Sequence, residues 1–489
     1  MSFKRTILLL ALLAPTVAIA GTRCDQILKK LGDELADVNC FESADLTTNN
    51  PLTTPLDNSL PGLPAGAFTP RTDRAVLVNL TAVPPVTTPI TKAVPGVQIS
   101  ARIASDPAGQ ARFLLRLPDN WNGRLVVAGT PSQRSEFSSD MAWSDYVVQQ
   151  GYAFASQNKG MLNLFVTTPA DPLGCRLNPG AFSGVFVHFY ANDPDKPFTR
   201  WTGFMVQAAE LARQGVKSAY GNWPRYTYAV GTSNGGYQVR RALEVAPKLF
   251  DGGVDWEGTY VAEAAPNLLT DLPPAVLNFP DYVASGYNAA GTAAKNIVAA
   301  GYPPDIVSAP DSLWTRNYNS YWEVTACQWQ KRLDPTYNTY GSGLSTYNYV
   351  QRLSFSDVGD NMAAFATTGR IQNPLVSVQG TMDALLPIDH HGRAYARAVE
   401  AGFAERKGGD PHRPGYRLYE IQNGNHIENY KNAFPQLEYI LFHAQHAFEL
   451  IVGNVESGAA LPPGQCVPRG GSIAGSPAQP GHCANLFVP

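Results

Sequence analysis

The sequence predicts an α/β fold with a mostly parallel central sheet, flanking helices and one large insertion. Strand-length apolar runs alternate with helical spacing over 111–258, and strand-length runs return after residue 373. Such alternation is typical of a parallel sheet whose connections are helices. The intervening stretch, 259–373, loses this alternation and is rich in Tyr, Trp, Pro and Asn, so we interpret it as an inserted lid.

Size and composition describe a globular chain. The 489 residues fit one large domain with insertions, and 44% hydrophobic against 16% charged residues excludes a disordered protein. A net charge of -3 gives no electrostatic footprint for nucleic acid, so we expect no nucleic-acid partner. The sequence does not indicate an oligomeric state.

The first twenty residues predict export. Lys4 and Arg5 precede the apolar run 7–14, and small residues end at Ala20, which predicts a signal peptide cut after Ala20. The apolar run is shorter than the ~20 residues of a membrane-spanning helix, so we expect a secreted or periplasmic chain without stable membrane anchoring. We therefore expect these segments: signal peptide 1–20, N-terminal extension and first antiparallel strands 21–110, first part of the core 111–258, lid 259–373, second part of the core 374–455, and C-terminal tail 456–489.

Six cysteines in an exported chain predict disulfides. Proximity in sequence favours a local pair at each terminus, although spacing alone leaves the connectivity open. Their wide scatter argues against zinc, and we expect neither a metal nor a cofactor. The proposed pairs are Cys24 with Cys40, Cys466 with Cys483, and Cys175 with Cys327.

The strongest local motif is Gly-Thr-Ser-Asn-Gly at 231–235. A β-branched and aromatic run, 226–230, precedes it, and helical spacing follows it. This strand-turn-helix context is that of the nucleophile elbow of α/β-hydrolases, in which a strained turn exposes the Ser oxygen and the next backbone N–H faces an oxyanion. We predict Ser233 as the nucleophile and the Asn234 N–H as one oxyanion donor.

A second oxyanion donor is predicted in the loop after the early strand 125–129. The α/β-hydrolase elbow uses an N–H from that loop, and Pro131 has none to give. The donor is therefore Thr130 or Ser132, with Thr130 preferred. The alternative is an ordinary loop at a strand end.

An acid and a base follow in the order that this fold requires. Asp383 and His426 each follow an apolar strand, and a serine hydroxyl needs a positioned base that is itself oriented by an acid. Asp255 and Glu257, one strand after the serine, are competing acids. The competing histidines lie in helical contexts, where a histidine is usually structural: His390, His391, His443 and His446.

The aromatic side chains of 259–373 could contact an aromatic or polymeric ester, because Tyr and Trp combine flat apolar area with a polar tip. They could equally form the core of the lid itself. The residues concerned are Tyr282, Tyr287, Trp314, Tyr318, Tyr321, Trp322, Trp329, Tyr337 and Tyr340.

Six short motifs follow one another over roughly 117–426: Leu-Pro-x-x-Trp-Asn-Gly, Gly-Tyr-Ala, Ser-x-Gly-Gly, Phe-Asp-Gly, Gly-x-x-Asp and Gly-x-His. This order resembles the tannase and feruloyl-esterase group of secreted α/β-hydrolases. The resemblance implies ester hydrolysis, often of aromatic acids, by Ser233, Asp383 and His426. That group commonly joins cysteines beside the serine and histidine, whereas Thr232 and Asn425 stand here, and its Asp-rich calcium loop is absent. Esterases of hydroxyalkanoate polymers or oligomers are close in pattern.

The sequence thus predicts a secreted serine carboxylic-ester hydrolase that forms an acyl-enzyme with a small-molecule or polymeric ester. An amidase or peptidase on the same scaffold is the first alternative, because acyl transfer uses the same groups. A binding protein that keeps the fold without the chemistry is the second alternative.

Overall fold

The computed structural model describes residues 22–54, 73, 88–131, 135–161, 198–337, 347–405 and 415–489, with the backbone of two short strands at 166–167 and 185–186. Several sequence predictions fall outside the described residues. They are the signal peptide 1–20, parts of the N-terminal segment 21–110, Ser132, Cys175 and Tyr340.

Strands and helices alternate along much of the described chain. The strands are β1 (Leu35–Ser43), β2 (Gly96–Ile103), β3 (Arg112–Pro118), β4 (Arg124–Gly129), β5 (Ala153–Gln157), β6 (Val166–Thr167), β7 (Val185–Phe186), β8 (Tyr226–Thr232), β9 (Gly252–Trp256), β10 (Leu375–Gly380), β11 (Tyr416–Ile421) and β12 (Gln465–Val467). The α-helices are α1 (Arg23–Leu31), α2 (Asp145–Val148), α3 (Thr199–Tyr220), α4 (Asn234–Val245), α5 (Leu268–Ala284), α6 (Thr292–Ala299), α7 (Leu313–Asn317), α8 (Glu323–Leu333), α9 (Tyr349–Arg352), α10 (Val358–Ala363), α11 (Gly392–Ala404) and α12 (Leu441–Ser457).

The described residues form a ten-stranded sheet in the order β1-β2-β3-β5-β4-β8-β9-β10-β11-β12. Its pairings are antiparallel from β1 to β5 and parallel from β5 to β12. The central strands β4, β8, β9 and β10 are buried along almost their whole length, as expected where helices cover both faces. This is the α/β-hydrolase fold that the sequence predicts.

Helices cover both faces of the sheet. One apolar core lies between the sheet and α1, α3, α4 and α11, and a second lies between the opposite face and α2 and α12. Because the parallel strands run in the same direction, their carboxyl ends meet at one edge. The loops after β8, β9, β10 and β11 therefore lie side by side.

Between β9 and β10 the chain forms a helical insertion, residues 257–374, which contains α5 to α10. Its apolar core buries the side chains of Tyr282, Trp314, Trp322 and Trp329 to 1% exposure or less. These four aromatics therefore serve the packing of the insertion, which is the alternative left open by the sequence. The Trp322 Nε1–H also donates to the Ala384 carbonyl at 2.7 Å, so the insertion packs on the loop that follows β10.

Two helices are shorter than the helical patterns in the sequence. The sequence pattern over 433–452 predicts a helix, but α12 begins at Leu441, because Pro435 lacks the N–H of a helical residue and Phe434 and Leu437 pack in a separate small cluster. The pattern over 145–151 likewise predicts a helix, but the structure has only the short α2, which follows one π-helical turn and ends before Gly151, whose φ is +86°.

Both terminal disulfides predicted from the sequence are present, Cys24–Cys40 and Cys466–Cys483. Cys327 is also disulfide-bonded. Its predicted partner, Cys175, lies outside the described residues. Among the helices that the structure describes, none combines the length and hydropathy that crossing a bilayer demands.

Candidate active site

Ser233 sits in a sharp turn between β8 and α4. Its backbone has φ 60° and ψ -124°, a region that a residue with a side chain adopts only under strain. The Ser233 N–H donates to the Trp256 carbonyl at 2.9 Å, and the Ser233 carbonyl accepts the Tyr237 N–H at 3.0 Å. The turn is thus held by backbone bonds to both neighbouring elements.

Glycines let the turn pass close to a neighbouring loop. A Cβ added to Gly231 would lie 2.3 Å from the Gly235 carbonyl oxygen, and one added to Gly235 would lie 2.5 Å from the Gly129 carbonyl. These distances are far below ordinary van der Waals contact. The loop after β4 therefore lies directly against the Ser233 turn, where the sequence places a possible oxyanion loop.

A hydrogen-bonded relay links the three residues that the sequence predicts as catalytic. His426 Nε2 lies 3.0 Å from Ser233 Oγ, and His426 Nδ1 lies 2.8 Å from Asp383 Oδ2. A carboxylate only accepts hydrogen bonds, so Nδ1 carries the hydrogen and Nε2 presents a lone pair to the serine hydroxyl. This tautomer is the one that can take the Ser233 proton.

The Asp383 carboxylate is fixed by four hydrogen bonds. Its Oδ1 accepts the N–H groups of Leu385 at 2.9 Å and Leu386 at 2.7 Å. Its Oδ2 accepts Gln379 Nε2 at 3.0 Å in addition to His426. Asp383 is fully buried, so these bonds replace the water that an exposed carboxylate would hold.

Backbone pairing joins the acid loop to the histidine loop. β10 and β11 pair in parallel up to Gly380 opposite Ile421. Beyond the strands, the Thr381 N–H donates to the Ile421 carbonyl at 3.0 Å and the Met382 N–H to the Gly424 carbonyl at 2.8 Å. Strand packing thus joins these loops, and neither Thr232 nor Asn425 is a cysteine that could tie the serine turn to the histidine.

The two predicted oxyanion donors differ in this structure. Asn234 is the first residue of α4, so its N–H belongs to the opening turn of a helix, which lacks intrahelical acceptors. The Thr130 N–H instead donates to Gln238 Oε1 at 2.8 Å and is therefore not free for an oxyanion here. The buried Lys159 ammonium donates to the Thr130 carbonyl at 2.5 Å, so a cation also holds this loop.

The two competing acids have different environments. Asp255 Oδ2 lies 2.5 Å from Arg240 Nε and accepts the Ser377 hydroxyl at 2.7 Å, so it belongs to a buried ion pair. Glu257 is different, because its Oε2 lies 3.5 Å from His426 Nδ1. Burial first, then the Asp383 and Glu428 carboxylates, raises the pKa of Glu257 well above its ordinary value.

The other candidate histidines have partners outside the relay. His390 Nδ1 lies 3.0 Å and His391 Nε2 lies 3.4 Å from the carboxylate of Asp271 in α5, so both link the insertion to the core. His391 Nδ1 also accepts the Tyr260 N–H at 2.9 Å. His446 lies 3.2 Å from Glu449 on the surface, and His443 lies in the same helix, α12.

Among the described residues, one group of side chains could hold a metal ion, namely Glu257, Asp383 and His426. Their ligand atoms lie within 4.8 Å of one another. A metal ion there would have to displace the hydrogen bond between His426 Nδ1 and Asp383 Oδ2, because Nδ1 carries the hydrogen of that bond and Oδ2 supplies the lone pair.

Three residues of the site escaped sequence reasoning: Gln238, Gln379 and Lys159. Gln379 is a polar residue near the end of a strand that is buried along its whole length, and a polar residue in such a strand was the available signal. Gln238 lies in a helix and Lys159 at a positive φ of 62° in a loop, and their contacts with the Thr130 loop depend on tertiary packing.

Comparison with known proteins gives a partial match to one family. Residues 344–486 match the 3HB-oligomer hydrolase (3HBOH) family model. The matched segment contains Asp383 and His426, whereas Ser233 lies before it. A D-(-)-3-hydroxybutyrate oligomer hydrolase of Burkholderia thailandensis is 30% identical over 131 residues, which is 25% of this chain and 17% of that protein. A protein of the same name from Burkholderia mallei matches to the same extent.

Solved structures of similar architecture include two from Aspergillus oryzae. Feruloyl esterase B is 14% identical with a TM-score of 0.48, over 87% of this chain and 88% of its own. An esterase is 13% identical with a TM-score of 0.49, over 89% of this chain and 90% of its own. The description of the family model agrees with the oligomer-esterase pattern that the sequence indicates.

Proposed function

We propose that this chain is a serine carboxylic-ester hydrolase that works through an acyl-enzyme. The observation that carries the proposal is the relay of Asp383, His426 and Ser233, with contacts of 2.8 and 3.0 Å. The relay starts from a strained turn and ends on a fully buried carboxylate. A nucleophile in bonding distance of a base, itself oriented by an acid, is the arrangement that acyl transfer requires.

The geometry gives each residue a role. His426 Nε2 takes the Ser233 proton while Ser233 Oγ attacks the ester carbonyl, and the imidazolium is stabilised by Asp383. The same histidine then protonates the leaving alcohol. Water attacks the acyl-enzyme with His426 again as base, releasing the acid and restoring Ser233.

The oxyanion is assigned to the Asn234 N–H and to the loop after β4. The dipole of α4 adds to the first of these donors, because its positive end faces the turn. Thr130 can contribute only if its N–H exchanges Gln238 Oε1 for the substrate oxygen. Losing one such donor typically costs about 2.7–4 kcal/mol of transition-state stabilisation.

Esters of short hydroxyalkanoate oligomers are the proposed substrate class. The support is the family match over the acid and histidine loops, together with the name of the Burkholderia relatives. Trp314, Trp322 and Trp329 are buried in the insertion, whereas Tyr287, Tyr318 and Tyr321 are half-buried, so aromatic-acid esters stay the second candidate class. The proposal includes export, on the basis of the signal peptide predicted at 1–20.

A substrate panel tests the proposal. Purified chain lacking the predicted signal peptide is offered a 3-hydroxybutyrate trimer, a feruloyl ester, a p-nitrophenyl ester and an anilide, each beside Ser233→Ala. We expect trimer hydrolysis that the substitution abolishes. Faster turnover of the feruloyl ester would move the substrate class to aromatic esters. Cleavage of the anilide alone would replace the esterase with an amidase.

A further inference from the structure

Glu257 lies where a second carboxyl group can reach the catalytic histidine. It follows β9, its side chain is fully buried, and its Oε2 lies 3.5 Å from His426 Nδ1. Its φ of 51° is unusual for a residue with a side chain, and such strain persists only where surrounding contacts impose it. The Glu257 N–H donates to the Val378 carbonyl at 2.8 Å, and this bond to β10 helps to hold Glu257 in the strained backbone conformation.

The two carboxyl groups beside His426 are bonded very differently. Asp383 uses both oxygens in four hydrogen bonds. Glu257 Oε1 accepts the Gly380 N–H at 3.2 Å, and the Trp256 indole N–H is a further donor beside this carboxyl group. Among the described residues, Oε2 makes no hydrogen bond of ordinary geometry. A buried ionised carboxylate needs more partners than this, whereas a protonated carboxyl needs fewer.

We propose that Glu257 is a protonated reserve acid for His426: a positioning residue that becomes the acceptor of the Nδ1–H when Asp383 loses its charge. The inference rests on the proposed function, because it concerns the same histidine. In the native site one proton stays on Glu257 and the negative charge belongs to Asp383.

Burial and like-charge repulsion together explain why only one of the two carboxyl groups is ionised. Two carboxylates this close to one nitrogen cannot both carry charge cheaply, so the better-bonded Asp383 keeps it. When Asp383 is made neutral, this repulsion disappears while the effect of burial remains. Glu257 therefore releases its proton to solvent at a lower pH than in the wild type, and its carboxylate can then accept the Nδ1–H.

Four proteins test the inference: wild type, Glu257→Gln, Asp383→Ala and the double variant. With no reserve acid, loss of the orienting acid typically lowers kcat by about 10⁴-fold. We expect Asp383→Ala to lower kcat/KM by only about 10²-fold, Glu257→Gln by about three-fold, and the double variant by about 10⁴-fold, so that the two losses are not additive. The residual activity of Asp383→Ala should also rise with pH as Glu257 ionises, and the double variant should lose that rise.

A spectroscopic readout makes the inference independent of turnover. The low-field ¹H NMR signal of a His Nδ1–H bonded to a carboxylate should persist in Asp383→Ala and vanish in the double variant. If Asp383→Ala does not fold, Asp383→Ser replaces it, because a neutral serine hydroxyl can still accept the Leu385 N–H two residues on and places no amide donor against His426 Nδ1.

Glu428→Gln is the matched control. Glu428 is buried in the same acidic cluster, but its Oε1 accepts the backbone N–H groups of Ile440 and Leu441. Glu428→Gln should therefore change kcat/KM by the same factor whether Asp383 is present or replaced by alanine. Equal losses for Glu257→Gln in both backgrounds, or an Nδ1–H signal already absent from Asp383→Ala, would overturn the inference. Absence of Ser233-dependent turnover in the wild type would instead contradict the proposed function, and the NMR comparison would still decide the role of Glu257.

Discussion

Gly235→Ala tests whether the close approach of two backbones sets the geometry of the site. Gly235 lies in the first turn of α4 with ordinary helical backbone, so alanine can adopt its conformation without strain. Helix propensity alone would make the substitution stabilising by about 0.5–1 kcal/mol. The opposing effect is contact, because the new Cβ would lie 2.5 Å from the Gly129 carbonyl and 2.8 Å from the Thr130 nitrogen.

The size of the effect follows from these distances. A contact of 2.5 Å must open by about 0.9 Å to reach the 3.4 Å at which ordinary van der Waals contact begins. Both sides are backbone, so no flexible side chain can move away. The displaced elements carry Ser233 and the proposed oxyanion donors, and a shift of about 1 Å at reacting groups costs about 100-fold in rate.

The assay is kcat/KM on a short ester, with far-UV circular dichroism to verify folding. We expect Gly235→Ala to lose about 100-fold. Gly203→Ala is the control: Gly203 is exposed in α3, its added Cβ would meet nothing within 4 Å, and activity should be unchanged. Gly235→Ala with activity within about three-fold of wild type would refute the reasoning.

Two further predictions concern buried charge. Arg116 is fully buried, and its Nη1 lies 2.8 Å from Asp140 Oδ1. Asp140→Asn removes this carboxylate partner and should lower the free energy of unfolding, measured in urea, by about 3–5 kcal/mol. A loss below about 1 kcal/mol would contradict this prediction. Burial raises the pKa of Glu428 to about 8 from an ordinary value of 4.5. The stability contributed by protonated Glu428 is therefore fully present below pH 4.5 and is lost as the pH rises through about 8. Between pH 5 and 8, Glu428→Gln should therefore reduce the fall in unfolding free energy by up to about 1.4 kcal/mol per pH unit. The control Glu405→Gln changes an exposed surface residue and should leave this fall unchanged. An unfolding free energy that falls with pH equally in Glu428→Gln and in the wild type would contradict the raised pKa of Glu428.

The positions of Ser233, Asp383 and His426 could be predicted because each follows a strand that local pattern reveals. Parallel strands bring such ends to one edge, so three short patterns far apart in sequence locate one site. The sequence also offered Glu257 as an alternative to Asp383. It could not show that both carboxyl groups approach the histidine, because that depends on a backbone φ of 51° and on side-chain distances.

The helical insertion was harder to foresee. Its first helix, α5, contains Pro273, Pro274 and Pro280, and proline disfavours a helix interior, so local propensity opposes a helix there. Burial of apolar residues along α5 outweighs that propensity. In the same way, Thr130 has the sequence context of an oxyanion donor, but the fold places Gln238 against its N–H.

The most direct test of the account is covalent labelling of the chain by a fluorophosphonate, followed by peptide mass spectrometry. We predict one adduct per chain on Ser233, formed rapidly in the wild type, more slowly by at least about 10³-fold in His426→Ala, and not at all in Ser233→Ala. A wild-type chain that stays unlabelled, or an adduct on a residue other than Ser233, would contradict the claim that Asp383, His426 and Ser233 form a working nucleophile.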